Sequence, residues 1–576
     1  MATFRDQIAP FHPTSHDLKH RRWIFIPYDR FTDRTGPLTE QSADDTGIVL
    51  VESTAKAPRR PYHKKKLVLL ISNMRHFALE QAARGCKVIY RLSEHSHAQA
   101  LLQLQRELPL PELTMMRPAE RELRLDLEAA TAAGLRINLV PDTTWLSTTE
   151  DFVSVFGPYK PGRSYVMDRF YRAQRQKTGV LMAHGKPRAG KFSFDAENRR
   201  PYKGQPLVPR PPVFPPDEVT QEVIALVEQR YPHHFGSTDR FDSPAKQQEA
   251  DAAWAFTLAH LLPHFGPYED AMRDDELQLF HGRLSGLINL GRLLPAQLIA
   301  DVEAACDAGR IPLASAEGFI RQLLGWREFM RHLHQQTDGY RLLADTVPQE
   351  PRPSPNRRHS ERAQRVQESP HLLSTKATDG QQDCYAGATP SALSAALPLP
   401  AAYWGVSSGL HCLDTVVAQV IDEGWSHHIT RLMVLSNLAT LCGFSPRQLT
   451  DWFWIAYIDA YDWVVETNVL GMATYADGGL TATKPYVSGA AYIHKMSNYC
   501  GHCQFDPKRS TGEGSCPFTA LYWTFLERNE AVLGNNFRLQ MPYTTLHKKP
   551  AAELVQLRAR AQEAIDHLES LPHPAY

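Results

Sequence analysis

Four cysteines are spaced so that they can share one ligand. Cys500-Gly501-His502-Cys503 brings two thiolates within reach of a single centre, Cys516-Pro517 follows closely, and Cys412 stands alone far upstream, where a distant helix can carry it. Four sulfurs suit zinc or an iron–sulfur cluster. A structural zinc site usually pairs two close-spaced dyads, whereas here the fourth ligand is solitary, and a Cys-Pro step also ends ferredoxin runs. Spacing therefore leans toward iron–sulfur and leaves zinc and free buried thiols open. A second constellation is His427-His428, in the run GWSHHITR from Gly424 to Arg431. Histidine titrates near neutrality and suits a proton donor, although such a pair on an apolar helix is more often structural.

Those residues sit in a chain of 576 residues with 43% apolar and 22% charged side chains, an ordinary globular composition long enough for two or more domains and large cofactors. No apolar run is long enough to span a membrane, and the first residues lack the continuous apolar core of a secretory signal, so the expectation is a soluble cytoplasmic protein. In that reducing setting eight scattered cysteines argue for ligands rather than disulfides. Lys+Arg and Asp+Glu balance at 63 each, so net charge does not point to nucleic acid. The basic runs His63-Lys64-Lys65-Lys66, Arg199-Arg200 and Lys508-Arg509 could form local phosphate-binding patches, with a solvated face as the default reading.

The elements that must position these residues change character along the chain. Up to about residue 150 short apolar runs (23–27, 66–71 and 136–140) interleave with helix-like segments (77–84 and 98–108), which predicts an open, mostly parallel α/β sheet. No GxGxxG turn marks a dinucleotide site there. From 151 to 245 the chain reads as a Pro/Lys/Arg-rich interdomain linker; the closely spaced prolines between Tyr202 and Pro216 forbid regular helix. Helical periodicity then dominates 246–547, with a helical tail over 548–576 and a Pro/Ser/Arg/Gln-rich stretch at 348–396 expected to be a mobile insertion.

Three segments of the helical half carry a specific resemblance. Phe265 to Met272 (FGPYEDAM) is followed by His281 to Ser285 (HGRLS) and Leu287 to Gly291; Glu317 to Phe329 (EGFIRQLLGWREF) resembles an ExF…WRE[FY] signature; and the third runs from His427-His428 through Asp459 to Trp463, Lys484 to Tyr486 and Cys500 to Phe518. With Ser72 to Phe77 and Phe194 to Arg199 in the first half, these resemble the bacterial photolyase and cryptochrome proteins that carry a [4Fe–4S] cluster, the prokaryotic (6-4) photolyases. The resemblance implies an α/β antenna-binding domain, an all-α FAD-binding domain, UV-damaged DNA as the substrate and a monomer without membrane attachment. A blue-light photoreceptor of the cryptochrome type is the rival reading.

Residue by residue, the resemblance implies Cys412, Cys500, Cys503 and Cys516 as cluster ligands. It makes His428 the lesion-facing proton donor with His427 beside it, and places Tyr486 and Tyr492 against the flipped base. Tyr268, Arg283, Leu284 and Ser285 would hold the FAD pyrophosphate. Arg327 and Asp459 would pair near the isoalloxazine, with Asn468 a weaker contact; the family pattern expects a glutamate where this chain has Val465. Trp452 and Trp404 would relay electrons, with Phe453 replacing the family's intervening tyrosine and Trp454 and Tyr461 nearby in sequence. The antenna would be 6,7-dimethyl-8-ribityllumazine, with Asp29 and Glu52 as candidate contacts against the commoner explanation of surface carboxylates. Asp195 matches a loop linked to a divalent cation, for which Mg²⁺ suits oxygen ligands.

Overall fold

A computed structural model describes residues 3–40, 42–343 and 387–573 of the chain. Five strands form one parallel sheet: β1 (Arg22–Phe25), β2 (Thr46–Ser53), β3 (Lys87–Ser93), β4 (Leu113–Met116) and β5 (Ile137–Val140), in the order β3-β2-β1-β4-β5. The α/β expectation is met for this sheet, but one strand assignment is corrected. The run 66–71 lies inside the helix Lys64–Ala83, which is buried on most of its circumference, polar positions such as Asn73, Arg75 and Gln81 included. The order reverses at β1, so the segment leaving its carboxyl end opens onto the switch between β1 and β4. Asp29 and Arg30 lie there, 1% and 2% exposed.

The basic run 63–66 is not a surface patch. Its four side chains are buried, and they tie the sheet half to the helical half. Lys66 Nζ donates to the carbonyls of Ala460 (2.6 Å) and Trp454 (3.1 Å), Lys64 pairs with Glu228, and the His63 ring contacts the Ile421 carbonyl at 2.9 Å. Burial drives the Lys66 ammonium down to about 7. Gly424 makes the approach possible: at φ +60 it ends the helix His411–Glu423, and a Cβ there would press on Ile458 and the His63 ring.

The stretch 151–245, read from sequence as an interdomain linker, contributes to two cores. Helix Met167–Thr178, with Phe152, Phe156 and Tyr165, joins the core of the helical half, whereas Glu218–Arg230 lays Val219, Val223 and Val227 onto the sheet's core. The proline-rich run 202–216 is without regular structure, as its prolines require. Of the 348–396 insertion, residues up to 386 lie outside the described residues. The remainder is bonded to the helical half, Ala392 donating to the Ala476 carbonyl and Arg447 to that of Ala388. The last helix, Ala551–Ser570, buries Leu557, Ala561, Ile565 and Leu568 in the helical core. Among the described residues no helix is long and apolar enough to cross a membrane.

Candidate functional site

Two long helices in the helical half each widen into a π-helical turn where their polar side chains face inward. Leu313–Ile320 continues through the wide turn Arg321–Arg327 into Glu328–Gln336, and His428–Thr430 continues through Arg431–Ser436 into Asn437–Cys442. Such turns occur preferentially at functional sites. They bring Arg321, Arg327, His428 and Arg431 inside the domain.

Arg431 grips both oxygens of Asp459, at 3.1 and 2.9 Å, and its guanidinium lies 4.0 Å above the Tyr457 ring. Burial alone would raise the Asp459 carboxyl, but Arg431, with help from the Ser285 hydroxyl, holds it below the ordinary value. The expected Arg327–Asp459 pair is therefore corrected. Arg327 donates to Asn289 Oδ1 at 2.6 Å and lies 4.2 Å over Trp145 and 5.0 Å over Trp463, and burial pushes it down to about 9. Ser285 spends its hydroxyl on Asp459 at 2.5 Å, Arg283 pairs with Glu423 at 3.0 Å, and Leu284 is buried. Tyr268 stacks on Phe280 and donates to the Gln205 carbonyl. Asn468 donates to the Val464 carbonyl one turn back. The carboxylate missing at Val465 is present one residue later: Glu466 is fully buried against His334, Arg341 and Arg447.

His427 and His428 part company. His427 is 2% exposed, stacks on His281 at 4.4 Å with rings only 8° apart, and leaves Nδ1 without a hydrogen bond. His428 is exposed to open space although protein surrounds it densely enough to push it down to about 4, with Arg431 and Arg321 adding to the effect. A side chain that is solvent-exposed yet closely surrounded lies in a recess of the surface. Tyr492 donates to Asp270 at 3.2 Å, Arg199 bonds Asp195, and Arg321 lies 3.4 Å from Asp195 and 3.5 Å from Glu269. Tyr486 is half-buried in the field of Arg538, Asp195, Arg199 and Arg321, so the two tyrosines, Asp195 and His428 share one electrostatic neighbourhood. His281 and Arg431 were not singled out from the sequence; His281 sits inside the quoted HGRLS run and Arg431 closes the GWSHHITR run.

Three aromatic rings, Tyr457, Trp452 and Tyr403, lie in successive contact. From Tyr457, under Arg431, the ring of Trp452 is 6.0 Å away and that of Tyr403 a further 5.2 Å; Trp404 is next in sequence and half-buried. Phe453 stacks on Tyr457 at 5.1 Å. Trp454 instead lies under Arg60 at 3.9 Å, and Tyr461 is buried near Lys66, so neither extends this path.

All four clustered cysteines line one small apolar cavity with Leu410, Ile493, Tyr499, Phe505 and Phe518. Burial raises the Cys500 thiol to about 11 and the Cys516 thiol to about 12, with neighbouring thiols adding to the effect. Zinc would draw its ligand sulfurs to roughly 4 Å of one another at Zn–S bonds near 2.3 Å. Among the described residues, however, the three-ligand set whose donor atoms all lie within 4.8 Å is Asp274, His411 and His502, not any three of these cysteines.

At the switch point Asp29 is no surface carboxylate. Its nearest charge is Arg30 at 3.1 Å, yet neither carboxylate oxygen has a hydrogen-bond partner, and burial raises its pKa. Glu52, by contrast, is fully engaged by Arg75 and by the Tyr90 hydroxyl at 2.5 Å.

A family model described as deoxyribodipyrimidine photo-lyase-related protein matches residues 24–243. A protein of Agrobacterium fabrum named (6-4) photolyase is 34% identical over 553 residues, covering 95% of this chain and 99% of the relative. Among solved structures, a Synechocystis cryptochrome aligns with a TM-score of 0.50 at 14% identity, covering 95% of this chain and 98% of that one. A bacterial class III photolyase from Agrobacterium tumefaciens aligns at 0.48 and 13% identity with the same coverage.

Proposed function

The chain belongs to the (6-4) photolyase branch of the photolyase and cryptochrome family, and we propose that it uses light to reverse (6-4) pyrimidine lesions in DNA through FAD and a histidine proton donor. His428 carries this reading, as a solvent-exposed yet closely surrounded side chain in the field of Arg431 and Arg321. Bound FAD would supply the light-driven electron. Arg431 and Asp459 form a fixed charge pair to orient its polar edge, and Arg327 places a cation against Trp145 and Trp463. Tyr486 and Tyr492 offer ring faces to an extruded base, and Lys484, Arg199 and Arg538 are near enough to Tyr486 to contact phosphates.

Returning a hydroxyl between the two bases of the lesion requires a proton at the lesion. His428 is neutral at pH 7 in the free protein because burial, Arg431 and Arg321 depress it, so anionic charge brought by the DNA must raise it before it can donate. The test is one lesion-resolved repair assay. His428→Ala should bind flavin and damaged DNA and fail to repair; a wild-type protein that, reduced and illuminated, leaves (6-4) lesions intact would favour the photoreceptor alternative.

We assign Cys412, Cys500, Cys503 and Cys516 to a [4Fe–4S] cluster, since their common cavity and wide sulfur spacing suit a cluster better than a single ion. We assign the lumazine antenna to the switch crevice, where Asp29 is the stronger contact and Glu52 supports from behind. Mg²⁺ at Asp195 would have to displace Arg199 and Arg321 from that carboxylate. Repair unchanged both by EDTA and by Asp195→Ala would remove the ion from the scheme.

A further inference from the structure

Beside the cysteine cavity, three ligand-bearing side chains from separate segments converge. Asp274 Oδ2 lies 2.8 Å from His411 Nε2 and 2.6 Å from His502 Nδ1, and the two imidazole planes stand at 89° with centroids 5.8 Å apart. Asn498 fixes the carboxylate from behind: its amide donates to Asp274 Oδ1, and its carbonyl accepts from the Asp274 backbone at 3.1 Å. His411 opens the helix His411–Glu423, and His502 follows the short turn Tyr499–Gly501.

We propose that Asp274, His411 and His502 form a mononuclear site for a first-row divalent metal of the zinc type. Two imidazole nitrogens and one carboxylate oxygen are the donor set of a three-ligand site with a fourth position for water. Ligands held about 2.0–2.2 Å from zinc lie roughly 3.3 Å from one another in a tetrahedron, and the three donor atoms here already lie within 4.8 Å of one another, the carboxylate oxygen within 2.8 Å of both nitrogens. Nitrogen donors disfavour Mg²⁺ and Ca²⁺, which take oxygen. Access is open, because the His502 side chain is 61% exposed, while Asp274 at 11% is anchored. The Asn498 clamp is the outer hydrogen bond that orients a ligating carboxylate.

The position gives the ion a task. Cys412 follows His411, and Cys500 and Cys503 flank His502, so one ion would staple the loop bearing two of the four thiols to the helix bearing a third. Only this task rests on the cluster assignment; the site itself does not.

The experiment uses tag-free full-length protein as isolated, stripped of loosely held metal by a mild chelator and titrated with zinc chloride, with iron and flavin measured in every sample. His502→Ala removes an exposed ligand and leaves every cysteine in place. Wild type should bind one equivalent more than His502→Ala, Asn498→Ala should weaken that site about tenfold, and anomalous scattering at the zinc edge should place the ion between the two imidazoles. Equal zinc binding by wild type and His502→Ala, or no binding by wild type, overturns the site.

Discussion

Arg431 and Asp459 meet through two hydrogen bonds, at 3.1 and 2.9 Å, in a place where the carboxylate is almost fully enclosed. Each group would be costly alone. Asp459→Asn should therefore leave an uncompensated cation against Tyr457 and destabilise the fold by about 3–5 kcal/mol. Denaturant unfolding of the purified variant, with its flavin content, checks this; full stability together with normal flavin would show that the pair is dispensable.

The aromatic path predicts where the electrons of photoreduction travel. Tyr403 touches Trp452 and precedes Trp404, so it is expected to supply the oxidisable ring that Phe453 does not. Tyr403→Phe should slow light-driven flavin reduction at least tenfold, while Trp454→Phe should leave it unchanged. Transient absorption with an external reductant reads both rates. A slow Trp454→Phe with a normal Tyr403→Phe would reverse the assignment.

Acid should unfold this protein early. Burial holds His63 and His281 near 4 and His97 near 3, all below the ordinary histidine value. As pH falls below about 6.5 the unfolded chain takes up these protons before the native one, so stability present above that pH is lost progressively toward pH 4. His63 alone contributes on the order of 3 kcal/mol by pH 4. Glu269 works the other way: burial raises it to about 7, so its share of stability is lost as pH rises from about 4.5 through 7. Denaturation midpoints should fall between pH 6.5 and 5, and fall less in His97→Gln. Midpoints that stay flat would mean that these rings are not held neutral.

Cys503→Ala should lose most of its iron and much of its solubility, because the thiols close a cavity among core residues. Metal analysis and thermal melting measure both. A soluble variant with full iron content would place the cluster elsewhere.

The architecture was legible where residue spacing encodes it. The cysteines could be grouped because three lie close in sequence, and the α/β half because Trp23 to Pro27 and Arg136 to Val140 read as strands. Leu67 to Ile71 misled because a short continuous apolar run reads equally as a buried strand or a buried helix segment, and this helix is buried on most sides. Lys64, Lys65 and Lys66 misled because charge suggests surface unless partners are known, and theirs, Glu228, Glu423 and the Trp454 and Ala460 carbonyls, come from distant segments. The Arg431–Asp459 pair and the Tyr403–Trp452 contact are likewise tertiary, and no local pattern announces either.

The buried lysines have an optical consequence. Energy passed between two chromophores depends on their separation and on the angle between their transition dipoles, so a hinge between the halves would let efficiency drift with every thermal motion. Lys66 holds two carbonyls of the helical half from a helix that packs on the sheet, and the His63 ring bonds the Ile421 carbonyl of the helical half. Such a mount would keep the antenna proposed for the sheet's switch point in fixed aim at the helical half.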